Sequence, residues 1–240
     1  MGIITTIFNQ FLYQPLFNLL VFFYNVIPGH DFGVAIILIT LLIRIVLFPV
    51  SKKGVKSQKA LSELQPKIKE LQKKHKNKEE QAQQMMKLYK EHKVNPVSGC
   101  LPLLIQFPIL IALYRALIDI LKNSNNLSSI LYPFVKNPGT LNTFFLGVID
   151  LAVPSIFLAV LTGVFQFIQS KMTLKTSPKS QGEGQKINIQ KTMSTQMIYF
   201  MPLIIVFISL KLPAGLPLYW AFSTLFSIGE YLLVNRKRPK

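Results

Sequence analysis

Cysteine and histidine are scarce in this sequence, and their scarcity excludes several kinds of site. A single cysteine, Cys100, cannot support a disulfide framework or a zinc site built from cysteines, and we expect it to be a small packing residue. The three histidines, His30, His75 and His92, all lie outside the long apolar runs. No HExxH motif, phosphate-binding loop or glycine-rich nucleotide fingerprint is present. We therefore predict no catalytic residues, no metal site and no cofactor.

Acidic residues are also few, with 10 Asp and Glu against 27 Lys and Arg, so the formal net charge is +17. Half of the residues are hydrophobic and only 15% are charged. The basic residues are grouped in blocks between apolar runs, whereas a soluble basic protein would spread them along amphipathic elements. This arrangement predicts a membrane protein that contacts membrane lipids and has no DNA partner.

The most informative apolar run covers residues 32–50 and contains one charged side chain, Arg44. As a helix it would be about 28 Å long, enough to span the core of a bilayer. A guanidinium inside such a run costs about 2.5–3.5 kcal/mol on insertion scales. Arg44 could extend to the basic end of its helix, or it could face a water-filled cavity within a helix bundle. Thr40, one turn earlier, lies on the same face.

Apolar runs and basic blocks divide the chain into five predicted transmembrane helices and their connections. The predicted spans are 32–50, 99–118, 145–170, 196–210 and 216–234. The predicted connections are an extracytoplasmic loop at 119–144, a cytoplasmic loop at 171–195, an extracytoplasmic turn at 211–215 and a basic cytoplasmic tail at 235–240. This division predicts a bundle of helices within the membrane.

Two further segments flank the first predicted span. Residues 1–31 contain no Lys or Arg, and apolar side chains on one helical face alternate with Asn and Gln. Pro15 and these amides argue against a full span, so we predict an extracytoplasmic amphipathic helix and turn in the membrane interface. Residues 51–98 carry 13 Lys and five Glu, an apolar seam at helical spacing, and a capping pattern at Asn77 and Glu80. They predict a basic cytoplasmic hairpin of two helices.

Charged residues on the hairpin and near the end of the second span are candidate contacts. The hairpin lysines fit anionic lipid headgroups, at about 1 kcal/mol each near the surface, or ribosomal RNA. The candidate partner-binding residues are Lys67, Lys69, Lys73 and Lys74. Arg115 and Asp119 are four residues apart, and we expect them to pair as an interface anchor rather than as a site.

The distribution of lysine and arginine predicts the orientation of the chain. The net charge is +8 over residues 51–98, +4 over residues 171–194 and +4 over the tail, so these segments carry nearly all of the excess. They alternate with segments that are almost uncharged. The positive-inside rule places all three in the cytoplasm, with the amino end outside and the carboxyl end inside.

Polar side chains within the predicted spans fall on single helical faces. They are Thr162, Gln166 and Gln169 on the third span, Tyr219, Ser223, Ser227 and Glu230 on the fifth, and Gln106 on the second. Such faces are costly against lipid, so we expect them to converge on an interior. Ordinary hydrogen bonding between helices is one explanation. Glu230 is a better candidate than Asp150 to pair with Arg44, because Asp150 lies at the outer end of the third predicted span. Without that pair we expect a hydrated cavity open to the cytoplasm.

Several of these segments resemble one known family. The matching segments are ITLLIRIVLFPVS, NPVSGCLPLLIQFPI, FLGVIDL and FMPLIIVFISLKLPAGLPLYW, in this order within roughly residues 30–235. They are similar to those of the YidC-type membrane protein insertases, a family that includes the mitochondrial oxidase-assembly and chloroplast Albino insertases. The second segment is the most specific of the four.

This resemblance implies an all-α polytopic membrane protein. Its five transmembrane helices would form a hydrophilic groove, beside a cytoplasmic helical hairpin and an N-terminal interfacial helix. In that family an arginine stands in the groove and receives the polar flank of an incoming segment, which implies this role for Arg44 with Thr40, Gln106 and Tyr219 as neighbours. Trp220 stands where a tyrosine is common. Together with the polar faces, the predicted groove set is Thr40, Arg44, Gln106, Gln166, Gln169, Tyr219, Trp220 and Ser223.

The resemblance also implies a function without chemical catalysis. The expected activity is to insert integral membrane proteins and help them fold in the bacterial cytoplasmic membrane, as a monomer. The expected partners are nascent membrane proteins and lipids, with the ribosome, the signal recognition particle pathway and the Sec translocase as further candidates. The alternative is a small anion transporter or channel that uses Arg44, but the sequence shows no internal inverted repeat.

Overall fold

The computed structural model describes residues 2–75, 77–95, 101–122, 127–175 and 189–235, and most of them are helical. Cys100 lies outside this part of the chain. The helices are α1 Ile3–Phe8, α2 Gln14–Val26, α3 Phe32–Lys74, α4 Lys78–Glu91, α5 Leu101–Lys122, α6 Ile156–Lys175, α7 Ile189–Ser209 and α8 Gly215–Asn235. A π-helical turn at Asn9–Tyr13 joins α1 to α2, a 3-10 turn covers Leu127–Ser129, and the strands β1 Phe144–Phe145 and β2 Ile149–Asp150 pair antiparallel.

Helix α1, the π-helical turn and α2 form one continuous N-terminal helix that includes Pro15. Proline has no N–H to complete the α-helical hydrogen bond, and the π-helical turn lies directly before it. The polar face of this helix turns toward the protein: Asn18 is buried and binds the loop after α5. Its first apolar side chains, Ile3, Ile7 and Phe11, are exposed, whereas Phe17 and Leu20 further along are fully buried in the core. The second half of this helix therefore packs on the bundle through apolar side chains as well as through Asn18.

Helix α3 is 43 residues long and passes through the predicted boundary at residue 50 without a break. The side chain of Asp31 caps its first turn by accepting a hydrogen bond from the Val34 N–H at 2.8 Å. Pro49 and Pro66 lie within the helix. The first predicted span and the first arm of the hairpin are therefore one helix about 65 Å long.

Helices α3 and α4 form the predicted hairpin. Leu64 and Ile68 of α3 pack against Leu88 of α4, and this burial extends to Tyr89, whose pKa is raised by loss of contact with water. The Asn77 side chain caps α4 by accepting from the Glu79 N–H at 3.0 Å. The predicted reciprocal bond from Glu80 is replaced by an ion pair with His75 at 3.4 Å.

The third predicted span begins too early in the sequence. Residues 145–155 are not helical: β1 and β2 form a short hairpin, with Leu146 and Gly147 in the left-handed region at φ 50° and 68°. Helix α6 starts at Ile156, after Pro154 and a turn in which Ser155 accepts from the Leu158 N–H. Leu151 of this segment is buried in the core, whereas Leu146 and Val148 at the tip of the hairpin are exposed.

The core lies where α2, α3, α5 and α8 meet, and α6 packs on α7 and α8. Its largest fully buried side chains include Phe17, Phe32, Ile36, Leu117 and Tyr219. Among the described residues, two helical stretches are long and apolar enough to cross a membrane, Phe32–Leu64 and Ile156–Thr173, and a shorter apolar helix covers Tyr199–Ser209.

Candidate functional site

Polar side chains of α3, α5 and α8 meet along one line inside the bundle, which we term the polar seam. Its members are Thr40, Arg44 and Ser51 of α3, Gln106 of α5, and Tyr219, Ser223 and Glu230 of α8. Arg44 binds Ser223 and Ser51 binds Glu230, and the partners are 179 positions apart in both pairs. Helices α3 and α8 therefore run parallel and in register, with the two contacts about 10 Å apart along the axis.

The guanidinium of Arg44 reaches across to α8 instead of running toward the basic end of its own helix. Its Nε donates to the Ser223 hydroxyl at 2.9 Å, and Nη2 donates to the same oxygen. Ser223 is 1% exposed, while Arg44 is half-buried. A hydroxyl has no charge, so it positions the guanidinium without neutralising it. This geometry favours the interpretation that Arg44 faces the interior of the bundle.

Tyr219 connects α8 to α5 at the level of Thr40. The Gln106 side-chain amide donates to the Tyr219 hydroxyl, and Tyr219 is 1% exposed. Thr40 is fully buried, and its hydroxyl donates to the Ile36 carbonyl at 2.6 Å within its own helix. Thr40 and Tyr219 thus complete the seam on the side of Arg44 away from the hairpin. Thr40 contributes no free donor to the seam, because its hydroxyl hydrogen is already used.

The predicted residues of α6 and Trp220 hold a more peripheral position. Gln166, Gln169 and Trp220 are half-buried, and within the described ranges the hydrogen bonds of the polar seam do not involve them. Thr162, on the same face as Gln166, lies 2.9 Å from the Pro217 carbonyl of α8 and is fully buried. This face of α6 therefore joins α6 to α8.

Glu230 does not pair directly with Arg44 as the sequence suggested. It is 3% exposed, and its Oε1 accepts a hydrogen bond from the Ser51 hydroxyl at 2.5 Å. Among the described residues, the one ion pair within 4.0 Å joins His75 to Glu80, so Arg44 and Glu230 do not form one. Sequence reasoning missed Ser51, although it follows Arg44 by the same seven residues that separate Glu230 from Ser223.

The predicted pair of Arg115 with Asp119 is also replaced by other contacts. Both side chains reach the N-terminal helix: Arg115 donates to Asn9 at 2.9 Å, and Asp119 accepts from the Tyr13 hydroxyl at 2.5 Å. The guanidinium also lies 4.9 Å from the centre of the Tyr13 ring. Burial and the bond to Asp119 raise the pKa of Tyr13. Arg115 and Asp119 therefore anchor the N-terminal helix to α5, because each binds a residue of that helix.

The structure describes the side chains of two of the predicted hairpin lysines, Lys67 and Lys74. Both are exposed, and the Lys67 ammonium lies 2.9 Å from Nε2 of His92 across the hairpin. The side chains of Lys69 and Lys73 lie outside the described residues. The described lysines are therefore accessible on the hairpin surface, and one of them also joins its two helices.

The region containing the polar seam matches a known family. A family model described as "60Kd inner membrane protein" matches residues 22–240, which include every residue of the seam. The chain belongs to the 60Kd inner membrane protein family. A family relative from Clostridium tetani, named membrane protein insertase YidC, is 38% identical over 214 residues, which are 89% of this chain and 86% of the relative. A relative of the same name from Oceanobacillus iheyensis is 34% identical over 87% of this chain and 76% of its own length.

Other members of the 60Kd inner membrane protein family are longer. The relative from Syntrophus aciditrophicus, also named membrane protein insertase YidC, is 34% identical over 95% of this chain but only 37% of its own length. A solved structure described as an active YidC insertase with the first transmembrane domain resolved superposes with a TM-score of 0.62 at 27% identity. That match covers 94% of this chain and 47% of the solved chain. The helical fold described above is thus that of a family member.

Proposed function

We propose that this chain is a membrane protein insertase that receives the polar flank of an incoming hydrophobic segment at the polar seam. The observation that carries the proposal is Arg44, whose positive charge is held by a neutral hydroxyl within a buried line of polar side chains. The names of its relatives supply the class of activity. No bond of the substrate is made or broken, so the activity needs no catalytic residue.

The driving force comes from the substrate's own apolar side chains. Each Leu-like residue gains about 0.3–0.6 kcal/mol on entering a bilayer, so a full span gains several kcal/mol. The barrier is the polar flank, which must cross the apolar core. A seam of hydroxyl, amide and guanidinium groups offers hydrogen-bond partners along part of that path. Arg44 adds an attraction for carboxylates. Gln106 and Tyr219 extend the seam on the side away from the hairpin.

The proposed arrangement in the membrane has five transmembrane helices, formed by parts of α3, α5, α6, α7 and α8. The basic hairpin of α3 and α4 lies in the cytoplasm, the amino end lies outside, and the seam is a groove that opens to the cytoplasm. The net charge of the hairpin supports this orientation. The candidate hairpin lysines, Lys67, Lys69, Lys73 and Lys74, would contact lipid headgroups, the ribosome or the signal recognition particle pathway. We propose that one copy suffices, alone or beside the Sec translocase.

The test compares the wild type with Arg44→Lys and Arg44→Ala in reconstituted vesicles. The substrate is a single hydrophobic span with an acidic translocated tail, and protection of that tail from added protease measures insertion. We expect Lys to retain most of the activity and Ala to lose about tenfold or more, because the ionic attraction is strong where water is partly excluded. Lys53→Ala, which removes an exposed positive charge from α3, is the matched control and should resemble the wild type.

Two results would count against the proposal. If wild-type vesicles protect no more tail than protein-free vesicles, the chain does not insert this class of substrate. If Arg44→Ala inserts as well as the wild type, Arg44 only holds α3 against Ser223, and the positive charge has no role in the activity.

A further inference from the structure

Glu230 is the acidic residue of the seam, and its surroundings differ from those of the acidic residues near the opposite end of the bundle. Asp31 caps α3 and binds the Leu146 N–H, Asp119 binds Tyr13, and Asp150 binds Thr143. Each of these holds two segments together. Glu230 lies within α8 at 3% exposure, and its carboxylate accepts a hydrogen bond from the neutral hydroxyl of Ser51. A buried carboxylate is costly, and one hydroxyl offsets only part of that cost.

The position of Glu230 relates it to Arg44. Both charged groups lie at the α3–α8 interface, and each contacts a residue 179 positions away on the other helix. The two contacts are seven residues apart along the helices, which is about 10 Å. Salt screens buried charges much less than exposed ones, so each charge acts at the other's position. The seam therefore has a positive site at Arg44 and a negative site nearer the basic hairpin. A substrate flank that enters from the hairpin end passes the level of Glu230 before it reaches Arg44.

We propose that Glu230 is a specificity-determining residue, which limits the preference of the seam for acidic substrate flanks by opposing the charge of Arg44. This inference rests on the proposed insertase function. An acidic flank beside Arg44 is attracted by the guanidinium and repelled by Glu230, and a basic flank experiences the reverse. With both charges present, the seam accepts flanks of either sign more evenly than Arg44 alone would allow.

The expected size of the effect follows from the separation of the two sites. A unit charge about 10 Å away, at the effective dielectric constant of about 20 found in partly buried sites, changes an equilibrium or a rate on the order of tenfold. Removal of the negative charge should therefore raise acidic-flank insertion about tenfold and lower basic-flank insertion about tenfold, so their ratio should rise about a hundredfold. The change should appear in this ratio, because a loss of structure would lower the insertion of both substrates and leave their ratio unchanged.

The experiment measures that ratio for the wild type, Glu230→Gln and Glu230→Asp in reconstituted vesicles. Two substrates share one hydrophobic span and differ only in the tail, which carries either two Asp or two Lys. Gln keeps an oxygen that can accept from Ser51, so the contact between α3 and α8 remains. Glu63→Gln is the control, because it removes the same charge from an exposed position on the hairpin. The emission of the single tryptophan checks that each variant is folded.

The proposal predicts a raised ratio in Glu230→Gln and a ratio near that of the wild type in Glu230→Asp and Glu63→Gln. An unchanged ratio in Glu230→Gln overturns it, as does an equal loss of both substrates, which would make Glu230 a structural contact of Ser51. An equal rise in Glu63→Gln overturns it as well, because the overall charge would then be responsible. Wild-type insertion no higher than that of protein-free vesicles overturns the proposed function and this inference together, so the two failures are distinguished.

Discussion

Asn18 provides a test of how the N-terminal helix is attached to the bundle. Its Nδ2 donates to the Ile130 carbonyl at 3.1 Å, and its Oδ1 accepts from the Tyr132 N–H at 2.6 Å. The side chain is 2% exposed, so water cannot replace these bonds without moving the helix. Asn18→Leu keeps the branched shape of the side chain and removes these bonds, together with a third from Nδ2 to the Gln14 carbonyl at 2.8 Å. Gln14 still donates to the Ile130 carbonyl, so the Tyr132 N–H is the group left without a partner.

The magnitude follows from these contacts. Three lost hydrogen bonds contribute about 1 kcal/mol each, and an unsatisfied buried N–H costs about 1–3 kcal/mol. Since the two estimates partly overlap, we expect the free energy of unfolding to fall by about 2–4 kcal/mol. Asn25 is the matched control: it donates to the Lys136 carbonyl at 2.7 Å, from the same helix to the same loop, but at an exposed position. Asn25→Leu should cost under about 1 kcal/mol, because water can replace the lost bond.

Two measurements check this prediction. Denaturant unfolding in detergent micelles, followed by the fluorescence of Trp220, reports the global effect. Hydrogen exchange at the Tyr132 amide reports the local one, and its protection should fall at least about tenfold in Asn18→Leu. Equal and small effects of the two substitutions would refute the reasoning, which attributes the larger cost at Asn18 to its burial and to its additional hydrogen bonds. Unchanged exchange at Tyr132 would show that another group satisfies this amide.

Two further outcomes follow from the contacts. A Cβ on Gly33 would lie 2.1 Å from Cδ2 of Phe145, so Gly33→Ala should destabilise the fold by about 1–3 kcal/mol in the same unfolding assay, whereas Gly229→Ala, in open space on α8, should be neutral or slightly stabilising. The pKa of Tyr13 is raised in the folded state, so its bond to Asp119 contributes stability below the unfolded pKa of about 10 and loses it as the pH rises above that value. Tyr13→Phe should be less stable at pH 8 and should lose less stability between pH 9 and 11; an identical pH dependence would contradict this assignment.

Local sequence signals determined most of the helices. Apolar runs of helical length predicted α3 and α5 to α8, and the seam at Leu64 and Ile68 predicted the hairpin. These predictions succeed because helix formation depends mainly on the spacing of apolar residues along one segment. The start of α6 was wrong for a related reason. An apolar run does not by itself show that a segment is helical, and here Gly147 and Pro154 favour a turn over a helix.

The sequence by itself also predicted six of the seven members of the polar seam, all except Ser51, because polar groups in apolar helices must find partners inside the protein. Only the tertiary structure decided who those partners are. Arg44 binds Ser223 instead of Glu230, and Glu230 binds Ser51, because the register of α3 against α8 brings level residues together. That register depends on packing between segments 179 positions apart. The sequence pattern within either helix does not predict this register, because the apolar spacing of each helix is the same wherever the other helix lies along its axis.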